Sequence, residues 1–270
     1  YPSSFGWNAR CVEGGKYYYR DSANGWSFKN AVPGYQSWGT VAYGIRVSAN
    51  SYLYSMVSKL DLCDISDMAN KLHLHDGLGQ QLYDPGLLSA NIGGTRYGAT
   101  PLTMASAYAT FASEGKYCEP RPLEKITKSD GSPMKTYESK CEQAISPDIA
   151  NGVSYVLKGV LASGGSAPKR AIGLPDASAA KTGTNDNSSQ TWMVGYTRGL
   201  ATASWVGSND LGYRSMNGIA INGRVLEYVD GATYAGAQWQ QFMQAMAPKY
   251  NTEKFTEPPA SVTSTNVNGN

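Results

Sequence analysis

Lys181 heads the run Lys181-Thr182-Gly183-Thr184, a cation followed by two hydroxyls and a glycine at the start of a strand-like stretch. On an edge strand that combination suits an anion. Gly183 lets a ligand backbone lie against the strand, the Thr182 and Thr184 hydroxyls and strand N–H groups donate to a carboxylate, and Lys181 adds positive charge. A lysine one helical turn from a serine can also take its proton, and Ser178-Ala179-Ala180-Lys181 has that S-x-x-K spacing. In a strand, however, residues three apart point to opposite faces, so Ser178 and Lys181 cannot exchange a proton. Three further matches fail on similar grounds. Ser113 to Lys116 runs off a helix end, Ser132 to Lys135 lies in a turn, and Ser166 to Lys169 follows Gly164-Gly165. None has the apolar flanks of a buried helix that could hold a nucleophile against its lysine. A Ser-His-Asp triad is no easier to build, because the two histidines, His73 and His75, sit together in KLHLHDG and read as the rim of a helix-loop junction.

Elements of two kinds must position these groups. Residues 1 to 40, rich in Gly, Tyr, Trp and Ser, read as loops with short strands. A helix-dense region follows. SANSYLYSMVSKLDL offers Ser48 or Asn50 as an N-cap and Leu53, Met56, Val57 and Leu60 as one face. TPLTMASAYATFASEG has Thr100 as N-cap, Pro101 in the first turn, an apolar side of Leu102, Met104, Ala105, Tyr108 and Phe111, and Gly115 as its stop. SPDIANGVSYVLKGVLASGG repeats the Ser-Pro start with Ile149, Val153, Val156, Leu157 and Val160. From residue 177 the period changes to ASAAKTGT, TWMVGYT and LATASWVG, three turn-separated strands that read as antiparallel neighbours. Trp192 and Trp205 on them read as sheet-face residues. Helical spacing returns through Trp239, Phe242, Met243 and Met246, and the Pro/Ser/Thr/Asn-rich residues 251–270 read as a disordered tail. The chain therefore divides into a domain at 1–250 and a tail at 251–270.

With 41% hydrophobic residues over 270 positions, the chain can bury a core. Its 23 basic and 21 acidic residues are spread without long runs, which argues against nucleic acid and against a polybasic membrane patch. No apolar run approaches a membrane span. The four cysteines lack metal-ligand spacing, so neither a metal nor a cofactor is expected. Cys118 and Cys141 flank a stretch that folds as a hairpin around Ser129-Asp130-Gly131, which sets them opposite each other as a disulfide in an oxidising compartment. Cys11 with Cys63 follows only by elimination, and four reduced thiols is the alternative.

SAN occurs at Ser22, Ser48 and Ser89, but only Ser48-Ala49-Asn50 stands directly before an amphipathic helix. S-x-N followed by K-T-G resembles the transpeptidase domain of bacterial penicillin-binding proteins, whose full set is S-x-x-K, S-x-N, K-T-G. YGATPLTMASAYATFASEGKY, AAKTGTNDNSSQTWMVGYT, ATASWVG and GATYAGAQWQQFM are similar to later segments of that family in order, most like its bifunctional class A branch. The resemblance implies an α/β fold of the serine β-lactamase and transpeptidase type, with an antiparallel sheet flanked by helices and a helical subdomain. It implies D,D-transpeptidation on peptidoglycan stem peptides through a serine ester, β-lactam antibiotics as inhibitors, an extracytoplasmic location and no cofactor. Ser48 and Lys181 would relay a proton, Asn50 would hold the substrate amide, and Thr182 and Thr184 would bind the terminal carboxylate beside Gly183. In the family S-x-x-K precedes S-x-N, yet residues 1 to 47 contain no such match. The expectation is a C-terminal portion, incomplete at its N-terminal side, whose nucleophile lies on an upstream segment carrying S-x-x-K. A degenerate scaffold or β-lactam sensor is one alternative. A β-lactamase-like hydrolase, which would need Glu114, Glu119, Glu124, Glu138 or Glu142 to activate water, is another.

Overall fold

The structure is a computed structural model and describes residues 4–12, 16–20, 29–32, 34–35, 39–208, 214–221 and 223–263. In chain order a hairpin of β1 (Ser4–Asn8) and β2 (Lys16–Arg20) leads into α1 (Val41–Arg46), α2 (Asn50–Val57) and α3 (Leu62–Lys71). Then come α4 (Pro101–Ala112), the short strands β3 (Lys116–Cys118), β4 (Lys125–Thr127), β5 (Pro133–Thr136) and β6 (Cys141–Gln143), and α5 (Pro147–Leu161). The main sheet follows as β7 (Ala179–Thr184), β8 (Gln190–Thr197) and β9 (Leu200–Gly207). A minimal ribbon of β10 (Ala220–Ile221) and β11 (Arg224–Val225), then α6 (Tyr234–Met246) and α7 (Ala260–Thr263), complete the series.

Local signals explain most helix starts. Thr100 accepts the Thr103 N–H at 3.0 Å and Ser146 caps α5 through Ile149, each with proline in the first turn. The sheet is antiparallel with order β7-β8-β9, so among the described residues β7 is an edge. Its faces are covered by helices: Tyr196 meets Tyr108 and Phe111 of α4, while Trp239 and Met243 of α6 are fully buried. Gly195 allows that second packing, since a Cβ there would stand 2.6 Å from the Trp239 ring and from Ala180. The predicted stripes hold at Leu157, Val160, Trp239 and Met243 but overreach elsewhere. Leu102, Ile149 and Phe242 are exposed, and α4 instead buries Thr103, Ala107, Thr110 and Ala112 against its neighbours.

A second cluster joins Trp7 and Ala9 to Tyr54, Val57 and Leu62 of the helical subdomain. Cys11 and Cys63 form a disulfide beside it, and Cys118 and Cys141, direct partners across β3 and β6, form the other. The hairpin reading was therefore right about the register. Residues 251–263 do not leave the domain as a disordered tail. Phe255 is buried against Tyr196 at 5.4 Å between ring centres, Thr256 bonds Glu114, and Val262 lies over Gly152. One aromatic anchor outweighs a composition that otherwise reads as linker. Residues 264–270 lie outside the described ones.

Candidate active site

Of Ser48 and Asn50, the two N-cap candidates for α2, neither is the cap. The N-cap of α2 is Ala49, without a side-chain bond. Ser48 instead closes the end of α1: its N–H donates to Ile45 O at 3.2 Å, and the Ala49 N–H donates to Gly44 O at 2.9 Å. This is a Schellman turn, and its left-handed position, normally a glycine, is Ser48 with φ +59°. A serine in that conformation costs stability, and its hydroxyl is turned away from any capping duty. The turn is held on several sides. Tyr35 donates its hydroxyl to Val47 O at 3.1 Å, Asn50 donates its amide to Lys29 O at 2.8 Å, and Asn30 exchanges two bonds with the buried Ser51. Gly44 leaves room for Tyr52, whose Cβ would be 2.3 Å from a methyl there.

Across from this turn runs the edge of β7. Lys181 donates from Nζ to Ser48 Oγ at 2.7 Å and to Thr182 O at 2.9 Å, joining residues 133 apart in sequence. Burial lowers the Lys181 pKa from 10.5 to about 8, because the ammonium loses water without gaining a carboxylate partner. Such a lysine carries its proton at neutral pH yet releases it easily, which suits a relay through the Ser48 hydroxyl. Further along the strand, Thr182 Oγ1 lies 2.9 Å from Ser166 Oγ, and Thr184 Oγ1 accepts the Gly231 N–H at 3.0 Å. Gly231 must be glycine for this contact, since a Cβ would meet Trp192 O at 2.4 Å and Gly183 O at 2.6 Å. Gly183 itself lies over the Cβ of Trp192, 3.2 Å from where its own Cβ would be.

The structure thus brings Ser48 to Lys181 on the strand that also carries Thr182, Gly183 and Thr184, while Asn50, two residues after Ser48, has its side-chain amide on Lys29 O. Three of the S-x-x-K serines rejected from the sequence have local partners. Ser178 is buried and donates to Leu174 O, Ser113 folds back onto its own helix, and Ser132 bonds Asp130. His73 stacks on Tyr117 and pairs with Glu142 at 2.7 Å, at a helix-loop junction as expected. Glu114 is held by the Thr256 hydroxyl and by Arg198, which depress its pKa, while Glu119 and Glu124 pair with Lys140 and Arg121. Among the described residues no group of His, Cys, Asp or Glu could hold a metal. Ser166, Arg46, Tyr35 and Gly231 were not foreseen. Only Ser166 carried a signal, its position in an S-x-x-K match, and the structure puts it in the site as a partner of Thr182.

Residues 11–251 match the family described as the penicillin binding protein transpeptidase domain. The chain belongs to that family. Penicillin-binding protein 1A of Mycobacterium tuberculosis (strain ATCC 25618 / H37Rv) is 30% identical over 236 residues, covering 81% of this chain and 27% of the relative. Penicillin-binding protein 1A of Aquifex aeolicus (strain VF5) is 24% identical over 223 residues, covering 83% and 28%. The chain thus spans about a quarter of the length of these curated relatives. Among solved structures, the PonA1 protein from Mycobacterium tuberculosis in complex with penicillin V superposes with a TM-score of 0.63 at 24% identity, covering 83% of this chain and 61% of that one.

Proposed function

We propose that this chain is the C-terminal portion of a D,D-transpeptidase that cross-links peptidoglycan and is acylated by β-lactams, with its nucleophilic serine on an upstream S-x-x-K segment. The observation that carries the reading is the 2.7 Å contact between Ser48 and Lys181, the latter within a strand whose next positions carry the Thr182 and Thr184 hydroxyls. The upstream serine would attack the penultimate D-Ala carbonyl, giving its proton to the S-x-x-K lysine as the C–O bond forms. Collapse of the tetrahedral intermediate would break the C–N bond, and the Ser48 hydroxyl would pass a proton to the departing D-Ala amine while taking one from Lys181. Asn50 would hold the substrate amide, and Thr182 and Thr184 would hold the terminal carboxylate. The Thr184 N–H and that of the serine would form the oxyanion hole, each donor contributing about 3 kcal/mol in comparable enzymes. An acceptor amine would then attack the ester, forming the cross-link and returning the proton to the serine.

A β-lactam presents the same carboxylate beside a strained amide, and the related PonA1 has been seen with penicillin V. The hydrolase alternative finds less support, because Glu114, Glu119, Glu124 and Glu142 are each held by a basic partner, which leaves Glu138 as its remaining candidate. The location would be extracytoplasmic, with anchoring through the upstream segment. Among the described residues no helix is long and apolar enough to cross a membrane. The test is labelling with a fluorescent penicillin, followed by intact mass, on the 270-residue chain and on one extended upstream. One stable adduct on the extended protein alone supports the reading. An adduct on the 270-residue chain would place the nucleophile within it, no adduct on either would indicate a degenerate homologue, and rapid turnover would indicate a hydrolase. Cross-linking of lipid-linked precursor separates the enzyme from a sensor.

A further inference from the structure

The two hydroxyls of the strand edge are not equivalent to free threonines. Thr184 Oγ1 accepts a hydrogen from the Gly231 N–H, so its own proton has to be donated elsewhere. Thr182 Oγ1 has a corresponding neighbour in Ser166 Oγ at 2.9 Å, a pair in which either oxygen can donate. We infer that Ser166 is a positioning residue of the anion site, donating to Thr182 so that Thr182, like Thr184, is left with its proton for a ligand carboxylate. The inference rests on the transpeptidase reading and adds a residue to it.

The direction of the shared hydrogen follows from counting. With a carboxylate against the strand edge, Ser166 donating to Thr182 and Thr182 donating to the anion uses every hydrogen. The reverse arrangement leaves the Thr182 oxygen facing an anion without a proton between them. Chains of hydroxyls arranged this way also polarise one another, which strengthens the terminal donor.

Ser166 is placed firmly enough to do this. Its N–H donates to Arg46 O at 3.0 Å, and the following Ala167, buried, donates to Val160 O at 3.0 Å. The loop closes tightly on the end of α5, since a Cβ on Gly165 would come within 2.3 Å of Gly159 O and Val160 O. The Arg46 guanidinium reaches back to Ser163 O. Because Arg46 stands two residues before Ser48, one loop fixes both the proton-relay hydroxyl and the carboxylate-binding hydroxyl. Distance between those two groups is what a substrate carrying both a scissile amide and a terminal carboxylate would read.

The experiment compares acylation rates on the protein carrying its S-x-x-K segment, using a penicillin and the methyl ester of the same penicillin, which lacks the anion. Ser166→Ala is expected to slow acylation by the free acid about tenfold, the scale of one hydrogen bond to a charged group, while the ester stays within about twofold of its own wild-type rate. Ser166→Thr, which restores the hydroxyl, is expected to recover most of the loss. Equal slowing of acid and ester would mean Ser166 merely supports the fold, and no slowing of either would mean it is idle; both outcomes overturn the inference. If the wild-type protein is not acylated at all, the transpeptidase reading fails and this inference goes with it. Wild-type labelling with an unaffected Ser166→Ala sinks the inference alone.

Discussion

Replacing Lys181 with methionine tests the electrostatics of the site without needing the nucleophile. In the folded chain burial holds the Lys181 pKa at about 8, against 10.5 for the free side chain. Below pH 8 both folded and unfolded states are protonated, and the folded state bears the full cost of a desolvated ammonium. Between 8 and 10.5 the unfolded state binds more protons, so wild-type stability should rise with pH across that window and level off above it. At about 1.4 kcal/mol per pH unit the gap corresponds to about 3 kcal/mol. Lys181→Met has no such titration. Urea unfolding of both proteins, followed by tryptophan fluorescence at intervals from pH 6 to 11, gives the difference curve directly. The wild type should gain about 3 kcal/mol on the variant from pH 7 to pH 10.5. A flat difference would show that Lys181 is solvated, and a difference that grows as pH falls would show an unrecognised carboxylate partner. Either result would remove the basis for a readily released proton at this position.

Other substitutions separate stability from function. Ser48→Gly should stabilise the fold by about 1 kcal/mol, because glycine accepts the left-handed Schellman position, yet abolish most penicillin acylation; thermal melts and labelling read the two effects. Phe255→Ala should cost about 3 kcal/mol by emptying its place against Tyr196 and the sheet, measured by urea unfolding, and would show that residues past 250 belong to the domain. Cys118→Ser with Cys141→Ser should lower stability by about 3 kcal/mol while leaving the acylation rate unchanged, since the disulfide closes a hairpin away from Lys181.

Where the sequence was legible, a local rule sufficed. Thr100-Pro101 and Ser146-Pro147 announce helix starts whatever lies around them, and the alternation through TWMVGYT and LATASWVG is a property of the strands themselves. The hairpin register that pairs Cys118 with Cys141 is nearly local too. The site is not. Lys181 and Ser48 meet across 133 residues, and only a resemblance to a known order of motifs linked them beforehand. Ser48 was misread as a cap because helix-start residues and this tight turn share the same small polar types. Whether Leu102 or Ile149 faces in or out depends on how far a neighbouring element extends, which periodicity does not encode. Phe255 stands in a run of prolines and hydroxyls whose average hides the one side chain that decides where the run goes.

The bond between Cys11 and Cys63 encloses Ser48 within a covalent ring that also contains residues 29 and 30. A protease that cuts this ring once, anywhere between the two cysteines, cannot release either piece. The fragments stay joined through the disulfide and should run as one species on a gel until thiol is added. Damage to the stretch before Ser48 would therefore be silent in an oxidising compartment and would surface only after reduction.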